Sequence, residues 1–243
     1  MDYQKIFRRY ELKYLISDEQ LRRILCAMDG HMRPDAYFKS TVRSLYFDTE
    51  SYRLARHSIE HPAYKEKLRL RSYSQADAGT LVFAELKKKY DSVVYKRRID
   101  IPEGEAMQWI CSGAAPAEES QITREIDYFI NYYGSLKPAA LITYDRLAYK
   151  SSGRSDLRIT FDSNILARVD DITLEGGLYG RAILPEGKTI MEVKTAGGMP
   201  LWLTDALSAN RIYKSSFSKY GTVYREMIYP ACFTETKPAA YIM

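Results

Sequence analysis

Two hydrophobic rhythms alternate along the chain. In Lys65-Glu66-Lys67-Leu68-Arg69-Leu70-Arg71, polar and apolar residues succeed one another with a period of two. In an extended strand this puts Lys65, Lys67, Arg69 and Arg71 on one face. Phe83-Ala84-Glu85-Leu86-Lys87-Lys88-Lys89 repeats the rhythm, with Glu85, Lys87 and Lys89 together. Strands are therefore predicted over 64–74 and 80–90, joined by a turn at Asp77-Ala78-Gly79, and 92–101 continues the meander. Further strands are predicted over 6–16, 41–48, 139–150, 157–162 and 188–195. The helical period appears first behind Ser17-Asp18-Glu19-Gln20, a capping box, where Leu21, Ile24, Leu25 and Met28 form a stripe that Gly30 ends. Helices are also predicted from Thr49-Glu50-Ser51 onward for a short stretch, over 103–113 and over 119–134, where Ile122, Ile126, Phe129 and Ile130 are the buried stripe. Another runs over 201–210 behind Pro200, and a last one ends near 228. Residues 163–186 show no clear period. About eight strands are enough to close a barrel around side chains or a small ligand. The expected fold class is α+β: an eight-stranded antiparallel β-barrel with flanking helices, in one domain over residues 1–243.

Composition narrows the possibilities. A 46% apolar chain of 243 residues can bury a full core, and 21 tyrosines suit strand walls. Cys26, Cys111 and Cys232 are scattered, with no CxxC, which argues against a disulfide framework and a structural zinc site and for a reducing compartment. With no apolar leader and no transmembrane run, a cytoplasmic location is expected. A net charge of +5 is modest, so nucleic acid is not expected as a partner.

The charge is concentrated on strand faces. One face of each predicted strand carries Arg9, Glu11 and Lys13; Lys67, Arg69 and Arg71; Glu85, Lys87 and Lys89; Tyr144 and Arg146; Arg158 and Asp162; Glu192 and Lys194. Neighbours on such a face lie roughly 7 Å apart and repel, so gathering them calls for a polyanion. A solvated face would mix acids with Ser, Thr and Gln more evenly. Glu85-x-Lys87 and Glu192-x-Lys194 repeat a doublet in which a carboxylate can hold a hard cation while its neighbour holds phosphate oxygens. There is no GxxxxGK[ST], GxGxxG or GxSxG, and Pro62 breaks the i, i+4 pair His57 and His61.

The order Glu11-x-Lys13, Ser44-Leu45-Tyr46-Phe47-Asp48-Thr49, Arg69-x-Arg71, Glu85-x-Lys87-x-Lys89, Tyr144-x-Arg146, Glu192-x-Lys194 and Ser216-Phe217-Ser218-Lys219-Tyr220 resembles the triphosphate tunnel metalloenzymes of the CYTH-like superfamily. Within that superfamily it is most similar to the VTC-type polyphosphate polymerase domain. The resemblance implies a tunnel that binds ATP and polyphosphate or pyrophosphate. Lys13, Arg69, Arg71, Lys87, Arg146 and Lys219 would contact the reacting phosphates, with Tyr144, Ser218, Lys89, Arg158 and Lys194 as further substrate contacts. Glu192, accompanied by Glu11 and Glu85, would hold Mn²⁺ or Mg²⁺. The resemblance leaves room for a separate membrane protein as a partner. The superfamily's hydrolases open with E-x-E-x-K, whereas this chain has Arg9-Tyr10-Glu11-Leu12-Lys13. A phosphate acceptor is already anionic and needs no general base, so fewer acids suit ATP-dependent polyphosphate synthesis. The alternatives are a tripolyphosphatase, thiamine triphosphatase or nucleotide cyclase of the same fold, or a non-catalytic binder of polyphosphate, inositol phosphates or RNA.

Overall fold

The computed structural model describes residues 10–60, 62–90, 93–116, 118–153 and 155–234. The expected strand start at 6–9 with Arg9, and also His61, Ser92 and Arg154, lie outside them. The strands are β1 (Tyr10–Ser17), β2 (Met32–Thr49), β3 (Tyr64–Ser72), β4 (Leu81–Tyr90), β5 (Val93–Pro102), β6 (Leu136–Ser151), β7 (Arg158–Arg168), β8 (Arg181–Ala182) and β9 (Lys188–Thr195). Between them run α1 (Asp18–Ala27), α2 (Arg53–Ile59), α3 (Glu103–Ser112), α4 (Gln121–Tyr133) and α5 (Leu201–Ala209). The chain then forms α6 (Lys219–Val223), a π-helical turn (Tyr224–Ile228) and α7 (Tyr229–Thr234). Among the described residues no helix is long and apolar enough to cross a membrane.

All strand pairs are antiparallel, in the order β1-β9-β7-β6-β2-β3-β4-β5, with β8 on β7. The fold class is the α+β one expected, with one correction. Among the described residues no backbone pairing joins β5 to β1, so within them hydrogen bonds do not close the barrel. The sheet is nevertheless curled, because Lys87 Nζ of β4 reaches Glu11 Oε2 of β1 at 3.0 Å.

The period of two decides what lies on each side. Leu45, Phe47, Leu68, Leu70 and Leu86 face outward and pack with Trp109 of α3 and with Ile126 and Phe129 of α4. At the other end of the sheet, Ile16, Ile159, Met191 and Val193 pack with Ile24 of α1 and Leu203 of α5. Burying each such side chain contributes about 2 kcal/mol relative to leaving it exposed. The expected capping box starts α1: Ser17 Oγ accepts from Gln20 N at 3.2 Å, and Gln20 Oε1 accepts from Ser17 N at 2.9 Å. A third cluster lies on the inner side, where Tyr46, Ile142, Tyr144 and Ile190 meet Tyr220, Val223 and Ile228 of the C-terminal helical segment.

Three strands outrun their predicted lengths. β2 begins at Met32 rather than 41, with a register shift between Pro34 and Lys39. β6 starts at Leu136, and β7 continues to Arg168, through the stretch that shows no period. The loop that follows lies on the outer face, with Leu174 buried. Arg43 Nη1 donates to Gly176 O at 2.5 Å and Arg168 Nη1 to Gly177 O at 3.1 Å.

Candidate functional site

Strand register alone gathers the charged faces. Lys13 lies opposite Glu192 and Glu11 opposite Lys194, while Glu192 pairs with Thr160 and Asp162 with Arg146. On the other half, Tyr46 pairs with Arg69 and Ser44 with Arg71, Arg69 with Glu85, Lys67 with Lys87, Glu85 with Arg98 and Lys87 with Lys96. Register partners point to the same face, so every one of these side chains is directed inward.

Three carboxylate centres organise this interior. The first is Glu85, fully enclosed by cations. Arg69 Nη2 lies 2.7 Å and Arg71 Nη1 3.8 Å from Oε2, while Lys96 Nζ lies 2.5 Å and Arg98 Nε 3.8 Å from Oε1. Burial alone would raise the Glu85 carboxyl, but Arg69, Arg71 and Lys96 outweigh it and hold it well below the usual carboxylate range. Burial lowers Lys96 to about 8, with Glu85 opposing. Arg69 also donates to Tyr46 Oη at 2.9 Å, and Arg71 to Ser44 Oγ at 3.3 Å and Tyr144 Oη at 3.1 Å.

The second centre is Asp162. Arg146 engages it bidentately, Nε to Oδ1 at 2.7 Å and Nη2 to Oδ2 at 2.8 Å, and Lys219 Nζ donates to Oδ2 at 2.5 Å. Burial raises the carboxyl, and Lys219 and Arg146 bring it below its ordinary value. The Tyr144 ring lies 4.3 Å from Lys219 Nζ and 5.3 Å from the Arg146 guanidinium. Burial raises its phenol, but Arg71, Arg146 and Lys219 bring it down to about 8.

The third centre holds Glu11 and Glu192, diagonal neighbours on adjacent strands. Lys194 Nζ is 2.6 Å from Glu192, Lys87 Nζ 3.0 Å from Glu11, and Lys13 Nζ 3.7 Å from Glu11. Burial and Glu192 push the Glu11 carboxyl up; Lys87, Lys13 and Lys194 outweigh them. A carboxylate that a second carboxylate pushes up is a suitable part of a seat for a hard divalent cation. Among the described residues no three His, Cys, Asp or Glu side chains are grouped to hold a metal. A metal on Glu11 and Glu192 would therefore complete its shell with water and phosphate oxygens.

Most of the expected site residues meet here, in differing surroundings. Glu85, expected beside the metal, is instead surrounded by four cations. Arg158 is on the correct face but at the strand end, where its side chain is 53% exposed and paired with Asp35. Lys89 lies further along β4, in register with Lys65 and Val94. Ser218 caps α6 by accepting from Gly221 N at 3.2 Å and also accepts from Lys67 Nζ at 2.9 Å. Gly221 fits tightly, since a Cβ there would lie 3.1 Å from Ser218 Oγ and 3.2 Å from Ile59 Cγ2.

A family model described as the VTC domain matches residues 8–228. The chain belongs to the VTC domain family. Among solved structures it is similar to a proposed adenylate cyclase of Bacillus halodurans, with 14% identity over 90% of this chain and 99% of that one and a TM-score of 0.54. It is also similar to a proposed adenylate cyclase of Vibrio parahaemolyticus, with 10% identity over 90% and 99% of the two chains and a TM-score of 0.45. No curated protein matches the chain. At these identities the structural likeness concerns the fold alone.

Several side chains of this VTC domain were not named as site residues from the sequence, although three of them lie in the motif over 44–49. Ser44, Tyr46 and Asp48 share the inward face of β2; Asp48 accepts from Leu54 N at 2.8 Å, Ala55 N at 2.9 Å and Tyr220 Oη at 2.7 Å, tying α2 to α6. Their signal was the period of two within Ser44-Leu45-Tyr46-Phe47-Asp48. Lys96 and Arg98 were hidden because Arg97 between them is also cationic, which blurs the alternation; Arg97 turns outward to Glu125 at 2.8 Å.

Proposed function

We propose that this VTC domain is an ATP-dependent polyphosphate polymerase that transfers the γ-phosphoryl group of ATP to the end of a polyphosphate chain. The observation that carries this reading is the enclosure of the single carboxylate Glu85 by Arg69, Arg71, Lys96 and Arg98. That interior is cationic beyond its own acids and is matched by a row of phosphates. In the reaction a terminal phosphate oxygen of the chain attacks the γ-phosphorus. The bond from that phosphorus to the β,γ-bridging oxygen breaks, and ADP leaves with the electron pair. No proton has to move, so no general base is required, only neutralisation and in-line alignment. Arg69, Arg71 and Arg146 offer planar forks for phosphate oxygens. Lys13, Lys87 and Lys219 add point charges from β1, β4 and α6, and Tyr144 and Ser218 add hydroxyl groups. Glu192 and Glu11 would hold Mn²⁺ or Mg²⁺, which supplies further charge neutralisation on the phosphate oxygens.

The test is a product assay with purified protein, ATP and Mn²⁺. Long phosphate chains resolved on a gel are expected. Free phosphate alone would make the protein a hydrolase of the same fold, cyclic AMP would make it a cyclase, and binding without turnover would make it a binding module.

A further inference from the structure

Lys67 differs from the cations around it. Lys13, Lys87, Arg69, Arg146, Lys194 and Lys219 each have a carboxylate within ion-pair distance. Lys67 has none among the described residues. Its Nζ donates to the neutral Ser218 Oγ at 2.9 Å and lies 5.9 Å from the Tyr220 ring centroid. The charged groups that act on it most strongly are cations, Lys13 from β1, Lys87 from β4, and Lys65 and Arg69 from its own strand, while Glu11 of β1 is engaged by Lys87 and Lys13. An ammonium in such surroundings loses hydration and gains only repulsion, so the neutral amine is favoured. Burial first, and then these neighbours, bring Lys67 down to about 7.

We propose that Lys67 is a proton-linked anion receptor: an entering phosphate chain supplies the anion it lacks, and the amine takes a proton from solvent as the chain binds. This rests on the reading of the tunnel as a phosphate-chain site and adds a specificity element to it. Lys67 acts as a reserve charge, present in full only when a polyanion is there to use it. The sign follows from linkage. The bound state favours the ammonium, so the Lys67 pKa is higher in the complex than in the empty tunnel. Affinity is then greatest at and below about pH 7 and weakens as pH rises from there toward the pKa of the complex, by at most about tenfold per pH unit.

Isothermal calorimetry with tripolyphosphate, without metal, tests this. Titrations at pH 8 in two buffers of different ionisation enthalpy count the protons taken up. Wild type is compared with Lys67→Arg, whose guanidinium stays charged throughout. The ligand's own protons, and those of Lys96 and Tyr144, are common to both proteins and cancel in the difference. The expected result is greater uptake by wild type, by up to one proton, and an affinity that falls more steeply with pH than that of Lys67→Arg. Lys67→Met is the second variant, because a side chain that cannot titrate must also lack this uptake. Equal uptake in wild type and in a folded variant overturns the inference while leaving the tunnel reading intact. Absence of tripolyphosphate binding to wild type overturns the tunnel reading itself.

Discussion

Around Glu85 one carboxylate faces Arg69, Arg71, Lys96 and Arg98. Around Glu192 a second carboxylate, Glu11, shares Lys13, Lys87 and Lys194. Both glutamates open the same Glu-x-Lys pattern, on β4 and β9, but the lysine plays a different part in each. Lys194 pairs with its own Glu192, whereas Lys87 turns away from Glu85 and crosses to Glu11. One carboxylate is thus saturated by cations and works as a counterion. The other has a like-charged neighbour, and the two share three lysines, fewer cations per carboxylate than surround Glu85. A short motif places a side chain on a face; the strands beside it decide its chemistry.

The largest expected effect separates the two. Glu192→Ala should lower turnover on the order of a thousandfold, because several kcal/mol of charge stabilisation are at stake and each ~1.4 kcal/mol is a factor of ten. Tripolyphosphate affinity should change little, which calorimetry can verify. Glu85→Gln should do the reverse. It leaves the enclosed Arg69 and Arg71 without their carboxylate, along with the more exposed Lys96 and Arg98, so urea unfolding should show a loss of about 3–5 kcal/mol. Added tripolyphosphate should restore more stability to this variant than to wild type. A Glu85→Gln protein of normal stability would remove the distinction drawn here.

Acid probes the same comparison. The Glu85, Asp162 and Glu192 carboxyls all lie below their ordinary values. Groups with depressed folded-state values contribute stability above the unfolded pKa, about 4, and lose it as pH falls through the folded one. Melting temperature should therefore hold down to about pH 5 and drop steeply below 4. In Glu85→Gln the drop should be shallower, since one of these groups no longer titrates.

Lys87→Met should weaken tripolyphosphate binding about tenfold, the equivalent of one charge-assisted contact of roughly 1.5 kcal/mol. Arg158→Ala should change kcat/KM less than twofold, because its exposed pair with Asp35 is worth about 0–1 kcal/mol. A large loss there would bring Arg158 back among the phosphate contacts.

The inward face was legible in the sequence wherever alternation was clean. Lys65 to Arg71 and Glu85 to Lys89 declared their faces, and register then brought Arg146 and Glu192 to the same interior. What escaped has physical reasons. The Pro34–Lys39 shift hides the first part of β2, and in β7 Asn164 adopts a positive φ of 50° beside a second register shift, so that no simple period runs through. The loop after β7 is held by arginine bonds to its backbone carbonyls, which no side-chain pattern reports. The difference between Glu85 and Glu192 depends on neighbours distant in sequence, Arg98 and Lys96 in one case and Glu11 in the other. Lys67 was visible on its face, but its lack of a carboxylate partner is a property of the assembled tunnel.

The seam between β5 and β1 also bears on how the proposed phosphate polymer would be handled. Among the described residues these strands share no backbone ladder, and Lys87 with Glu11 bridges the gap from β4. Parting that contact would break no strand pairing and would expose two ions to water, which solvates them well. A linear chain could then be laid in sideways, as into a cuff, rather than threaded from its tip. Ionic strength, more than temperature, would govern how readily the cuff opens.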